Sequence, residues 1–166
     1  MEHKDFIERI APYTLVNIGI VKRLFPDTTK KELKEQLKKG HQEQTLIVHD
    51  HQNLRCYSIS QAGFKLIGID HQPNYAPNKT EANLLCRNNQ FRIGFEQSIS
   101  RLESLDIDQW ITGGKFQKAP LTVRLKGNEK TLKPISASIV SDTQGNQRIY
   151  IVHEFNDWAH FSMDLI

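Results

Sequence analysis

The punctuation between residues 17 and 60 constrains this chain more than any other stretch. Asn17 is a side-chain acceptor suited to a helix start, and Ile18, Val21, Leu24 and Phe25 follow it at helical spacing. Pro26 stops that helix. Thr28 or Thr29 opens the next, over residues 30–39, whose few apolar positions are Leu33 and Leu37, with Gly40 placed for its C-terminal cap. Residues 45–48 and 54–59 are rich in strand-forming side chains and flank the polar tip His49-Asp50-His51-Gln52-Asn53, which predicts a hairpin. Helix, turn, helix, ribbon is the outline of a winged helix-turn-helix.

The flanks extend this pattern. Phe6, Ile7, Ile10 and Ala11 predict a leading helix over residues 4–11, ended by Pro12. Ser60 caps a short helix over residues 61–66, closed by Gly68. Residues 69–80, with Pro73 and Pro77, read as a linker. A long helix is expected over residues 80–102, with Leu84, Leu85, Phe91, Ile93, Phe95, Ile99 and Leu102 making it a central packing element. Strands are expected at 108–112, 121–125, 135–140 and 148–153, with turns at Gly113-Gly114, Gly127-Asn128 and Gln144-Gly145-Asn146. Residues 157–166 are expected to be a short helix or a tail. The expected class is α+β. A winged helix-turn-helix at 1–68 and a linker at 69–80 precede a small α/β domain at 81–166, a long helix with a mostly antiparallel sheet.

Charge is distributed unevenly. Residues 1–68 hold 11 Lys and Arg against 8 Asp and Glu, whereas residues 69–166 hold 11 of each, so the net +3 belongs to the first part. That excess suits contact with phosphates. Cys56 and Cys86 are too few for a disulfide framework or a four-cysteine zinc site and are expected as small buried side chains. The charged stretch 1–9 does not resemble a secretory leader, and no apolar run reaches membrane-spanning length. A cytoplasmic protein without membrane association is expected.

With Leu33 and Leu37 turned inward, Lys31, Glu35, Lys38 and Lys39 fall on the outer arc of the 30–39 helix and Lys34 on its flank. Such a ridge can neutralise phosphates. Thr28, Thr29 and Lys30 sit at the helix start, where a recognition helix meets bases or phosphates. The ribbon adds His51, Gln52, Asn53 and Arg55, polar groups able to lie along a backbone or enter a narrow groove. Lys and Glu also make good solvated helix surfaces, so the ridge alone does not decide for nucleic acid. His49 and His51 alternate as metal ligands do but lack a third ligand nearby, and no metal or cofactor is expected.

The layout resembles the winged-helix replication-relaxation proteins, associated with plasmid replication and mobilisation. The resemblance runs through Leu15-Val16-Asn17, Arg23-Leu24-Phe25-Pro26, Lys38-Lys39-Gly40 and Tyr57-Ser58-Ile59-Ser60-Gln61-Ala62-Gly63. It continues through Asn88-Asn89-Gln90-Phe91-Arg92, Lys133-Pro134 and His153-Glu154-Phe155-Asn156. It implies a second part like a degenerate restriction-endonuclease sheet. A nuclease of that kind needs an Asp after the proline and then an acidic-x-Lys cluster to hold a divalent cation. Here Ile135 and Ser136 follow Pro134, and Asn156 stands two residues after Glu154. The second part is therefore expected to be inert.

Nucleophile elbows, zincin motifs and P-loops are absent from the sequence. His153, Glu154, Asp157 and His160 are close in sequence, but adjacent strand residues point to opposite faces. Trp110, Phe155, Trp158 and Phe161 are expected as core or interface anchors. The leading expectation is a non-enzymatic double-stranded DNA-binding protein acting in transcriptional regulation or in plasmid or phage replication or mobilisation. Its second part would mediate assembly, as a homodimer matching a palindromic site or by docking another protein. The competing expectations are a protein-interaction module that kept the winged scaffold but lost DNA binding, its lysines paired with acids, and a residual metal nuclease using Glu154 with Asp142 or Asp157.

Overall fold

A computed structural model describes residues 1–70, 76–102, 105–112, 121–125, 128–132, 134–155 and 157–165. They form a mixed α+β protein with five helices and small antiparallel sheets among the described residues. No described helix is long and apolar enough to cross a membrane. The chain divides into two compact units, Met1–Ile93 and Gly94–Ile166.

In the first unit α1 (His3–Ile10) buries Phe6, Ile7 and Ile10 completely or nearly so. Its His3 is buried as well. The ring bridges Gln36 Oε1 (2.9 Å) and Thr45 Oγ1 (2.8 Å), tying the first helix to the third and to the residue before the first strand. Helix α2 (Ile18–Leu24) starts at Asn17, whose side chain accepts from the Ile20 amide at 2.9 Å. It ends before Pro26, which cannot donate into a helical ladder. The turn that follows is pinned from behind by Lys22, whose ammonium donates to the carbonyls of Pro26 (2.7 Å) and Thr28 (2.8 Å).

Helix α3 (Lys30–Gln42) begins with a reciprocal cap. Thr29 Oγ1 accepts from the Glu32 amide and Glu32 Oε2 accepts from the Thr29 amide. Leu33 and Leu37 are buried, as their spacing predicts. The helix does not stop at Gly40. It runs two residues further, and Gly40 lies inside it and buried. A Cβ there would stand 2.6 Å from Leu46 Cδ1, so the glycine allows close approach of the strand rather than a left-handed cap.

Strands β1 (Leu46–His51) and β2 (Leu54–Ile59) pair antiparallel from Leu46↔Ile59 to His51↔Leu54. The tip is thus only Gln52-Asn53, with Asn53 at φ 66, a left-handed geometry Asn tolerates. His49 and His51, expected at the tip, belong to β1. A third extended piece joins the ribbon where Val16 and Tyr57 exchange backbone hydrogen bonds of 2.9 and 2.8 Å. Helix α4 (Gln61–Leu66) is capped by Ser60 and packs over the ribbon base at Gly63, where a Cβ would meet Thr45 O at 2.3 Å.

Helix α5 (Lys79–Ile99) opens at Asn78, which shares reciprocal hydrogen bonds of 3.0 Å with Glu81. Its residues up to Ile93 complete the first unit. Asn89 Nδ2 donates to Leu15 O at 2.7 Å, and Arg92 donates to Pro12 O at 2.8 Å while its guanidinium lies 4.7 Å over the Tyr13 ring. Cys86 is buried in the same core as Cys56. The contact with Cys56 and burial push the Cys86 thiol pKa up, so it stays protonated. The division between units therefore falls inside α5 rather than in the 69–80 linker, because this polar helix face is bonded to the α1–α2 connection.

In the second unit β3 (Leu105–Thr112), β6 (Pro134–Asp142), β7 (Gln147–Phe155) and β8 (Asp157–Leu165) form an antiparallel sheet in the order β3-β6-β7-β8. Separately, β4 (Leu121–Leu125) pairs with β5 (Asn128–Leu132). Phe95 packs its ring 5.5 Å from Tyr150 and 6.0 Å from Trp110. The β6–β7 turn is where the sequence places it, with Gly145 at φ +79. Residues 157–165 are a strand and not a short helix or tail. The alternation of Ala159, Phe161, Met163 and Leu165 with polar neighbours carries that signal. The Gly113-Gly114 turn lies outside the described residues.

Candidate functional site

The burial of Leu33, Leu37 and Gly40 fixes the rotation of α3 and so decides where its charges point. Lys30, Lys31, Lys34, Lys38 and Lys39 are all exposed. Around the helix at 100° per residue they are not mixed evenly with the acids. Lys34, Lys38 and His41 lie on the flank that faces the ribbon, whereas Glu32 and Glu35 line a hollow with Asp27 and Met1 on the opposite flank. Among the described residues Lys31, Lys34 and Lys38 have no ion-pair partner, and Lys39 alone of the five pairs, with Glu43 at 3.8 Å.

Across from α3 the ribbon supplies Arg55. It is exposed, and its Nε donates to Asp50 Oδ2 at 3.1 Å, with a second, closer contact from Nη2. That pairing and the charge of Asp50 raise the guanidinium pKa further and hold the group along the strand. Between helix and ribbon runs an open groove of about 480 Å³. Lys34, Leu37, Lys38 and His41 line it from the helix, Val48, Arg55 and Tyr57 from the ribbon, and Ile18 from α2.

The remaining expected DNA-facing residues fare differently. Thr29 is exposed but committed to the cap. Thr28 is half-buried and its carbonyl is taken by Lys22. Gln52 and Asn53 are exposed at the tip. His51 is half-buried, with Nε2 inside and without a hydrogen-bond partner, so it is poorly placed to reach a ligand. His49 hydrogen-bonds Ser58 Oγ at 2.8 Å; burial, then the neighbouring His51, lower its pKa and keep it neutral near pH 7. The sequence reading missed His41 and the contribution of Tyr57 to the groove. Helical spacing from Lys34 and Lys38 carries a signal for the first.

No group of three His, Cys, Asp or Glu able to hold a metal ion occurs among the described residues. Asp142 is occupied structurally. Its carboxylate accepts from the Gln144 and Asn146 amides at 2.8 and 2.9 Å and from Asn146 Nδ2, which lowers its pKa and shapes the β6–β7 turn. The side chains of Glu154, Asp157, Trp158 and Phe161 lie outside the described residues. Comparison with family models, curated proteins and solved structures finds no match to this chain.

Proposed function

We propose that this chain is a non-catalytic double-stranded DNA-binding protein, with α2 and α3 as a helix-turn-helix and the β1–β2 ribbon as its wing. The order of helix, single bridging residue, two helices and hairpin supports a winged reading. The observation that carries the proposal is the cationic flank of α3. Lys31, Lys34 and Lys38 stand exposed and, among the described residues, without acidic partners, beside a ribbon that carries Arg55. Lysines held in this way keep their counterions until a phosphate displaces them. A module that had abandoned DNA would be expected to pair them with its own acids.

Base selectivity is not supplied by lysine point charges unless one reaches a guanine edge. The exposed Gln52 and Asn53 at the wing tip are suited to a minor groove. The motif resemblance to replication-relaxation proteins gives the biological setting: transcriptional regulation, or plasmid or phage replication or mobilisation. Assembly through the second unit belongs to the same proposal.

Fluorescence anisotropy with a labelled duplex across a salt series tests it. Binding should weaken linearly in log salt. Changing Lys31, Lys34 and Lys38 together to Ala should flatten the slope by about 2.7, which is about 0.9 for each phosphate that a lysine no longer neutralises. No binding at low salt, or an unchanged slope in the triple variant, overturns the proposal.

A further inference from the structure

We infer that the groove between α3 and the ribbon is a binding site for a small planar anion, a mononucleotide in size and chemistry, whose occupancy competes with duplex DNA. At about 480 Å³ the groove is within the range of small-ligand sites. Its walls divide by chemistry. Leu37, Val48 and Ile18 offer an aliphatic surface beside the half-buried ring of Tyr57, while Lys34 and Lys38 supply positive charge and Arg55, paired with Asp50, borders them. Among the described residues no carboxylate lines it.

A flat ring against Tyr57 and the aliphatic wall, with a phosphate on the lysines, satisfies both halves at once. Inorganic phosphate would use only the charge, and an uncharged nucleoside only the wall. The site itself does not depend on the DNA reading. The competition does rest on it, because Lys34 and Lys38 serve both ligands and mutual exclusion is reciprocal.

The test titrates the isotope-labelled full chain by NMR with AMP, adenosine and inorganic phosphate in separate arms, without DNA. AMP should shift the Lys34, Lys38, Val48 and Tyr57 amides together, at least tenfold more tightly than either fragment. Shifts equal for AMP and phosphate mean a surface counterion only and overturn the site, as does the absence of shifts. Val48→Trp, which fills the groove, should abolish the AMP response. If that variant does not fold, Lys34→Gln with Lys38→Gln, both at exposed positions, should weaken AMP at least tenfold, and an unchanged affinity overturns the assignment.

A second arm adds the labelled duplex. Displacement by AMP, with the duplex weakening AMP by the same factor, supports competition. AMP and duplex bound together overturn it. AMP binding without any duplex binding leaves the groove standing and removes the DNA reading, whereas duplex binding without AMP binding does the reverse.

Discussion

Helices α3 and α5 are both strongly polar, yet they use their polar residues in opposite ways. On α3 every lysine and glutamate is left in water while Leu33, Leu37 and Gly40 go inside, and only the half-buried Gln36 makes a polar contact with the core, through His3. On α5 the buried positions include Asn88 and Asn89, at 0% and 2% exposure, next to Cys86 and Ile93. The difference comes from what each helix packs against. Helix α3 packs against aliphatic side chains and the His3 ring, which leave no place for its charged groups. Helix α5 meets the irregular connection between α1 and α2, whose buried Leu15 carbonyl needs a donor that water cannot supply, while Arg92 reaches the exposed Pro12 carbonyl beside it. An amide or a guanidinium is the natural filler there. Polarity on a helix therefore marks a solvent-facing surface in one case and a seam within the core in the other.

The largest effect expected from this contrast is on the apolar side of α3. Leu33→Ala removes a fully buried side chain beneath the lysine ridge and should destabilise the protein by about 2–5 kcal/mol, read by urea unfolding. A loss below about 1 kcal/mol would mean α3 is not rotated as described, and the ridge would go with it.

A sharper test sets one polar residue from each helix side by side. Asn89→Ala leaves the Leu15 carbonyl buried without its donor, and about 1–3 kcal/mol should be lost. Lys34→Ala should move stability by no more than about 0.5 kcal/mol, because that side chain has no partner among the described residues. Equal losses in the two variants would erase the distinction between seam and surface.

Much of the first unit was legible because its signals are local. Asn17, Thr29 and Ser60 cap where their positions in the sequence require, and the two leucines of α3 orient it. What escaped depended on partners distant in the chain. Gly40 carries the local signature of a helix end, yet Leu46 sets its role. Val16 makes a single bridge, too short to leave a strand pattern. Asn89 carries no core signature of its own until the Leu15 carbonyl is placed against it. The groove was invisible for the same reason, since it exists only once the ribbon stands beside α3. Residues 157–165 are a different case, because their alternation was present and its period was misread.

The smallest effect concerns how α3 is held at its start, where the lysine face begins. Thr29 hydrogen-bonds lower the Glu32 carboxylate pKa from its ordinary 4.5. A depressed acid contributes stability above its unfolded pKa and loses it as pH falls through the folded value. The cap should therefore hold at neutral pH and weaken progressively as acid is added below about pH 4.5. Glu32→Gln should make α3 less sensitive to that range, with amide exchange of the first turn of α3 as the readout, while Thr29→Ala should cost about 1 kcal/mol at pH 7. Because the group is fully exposed, the effect should shrink with salt. If acid loosens the first turn equally in the wild type and in Glu32→Gln, the pH dependence belongs to other carboxylates and the cap is held by Thr29 alone.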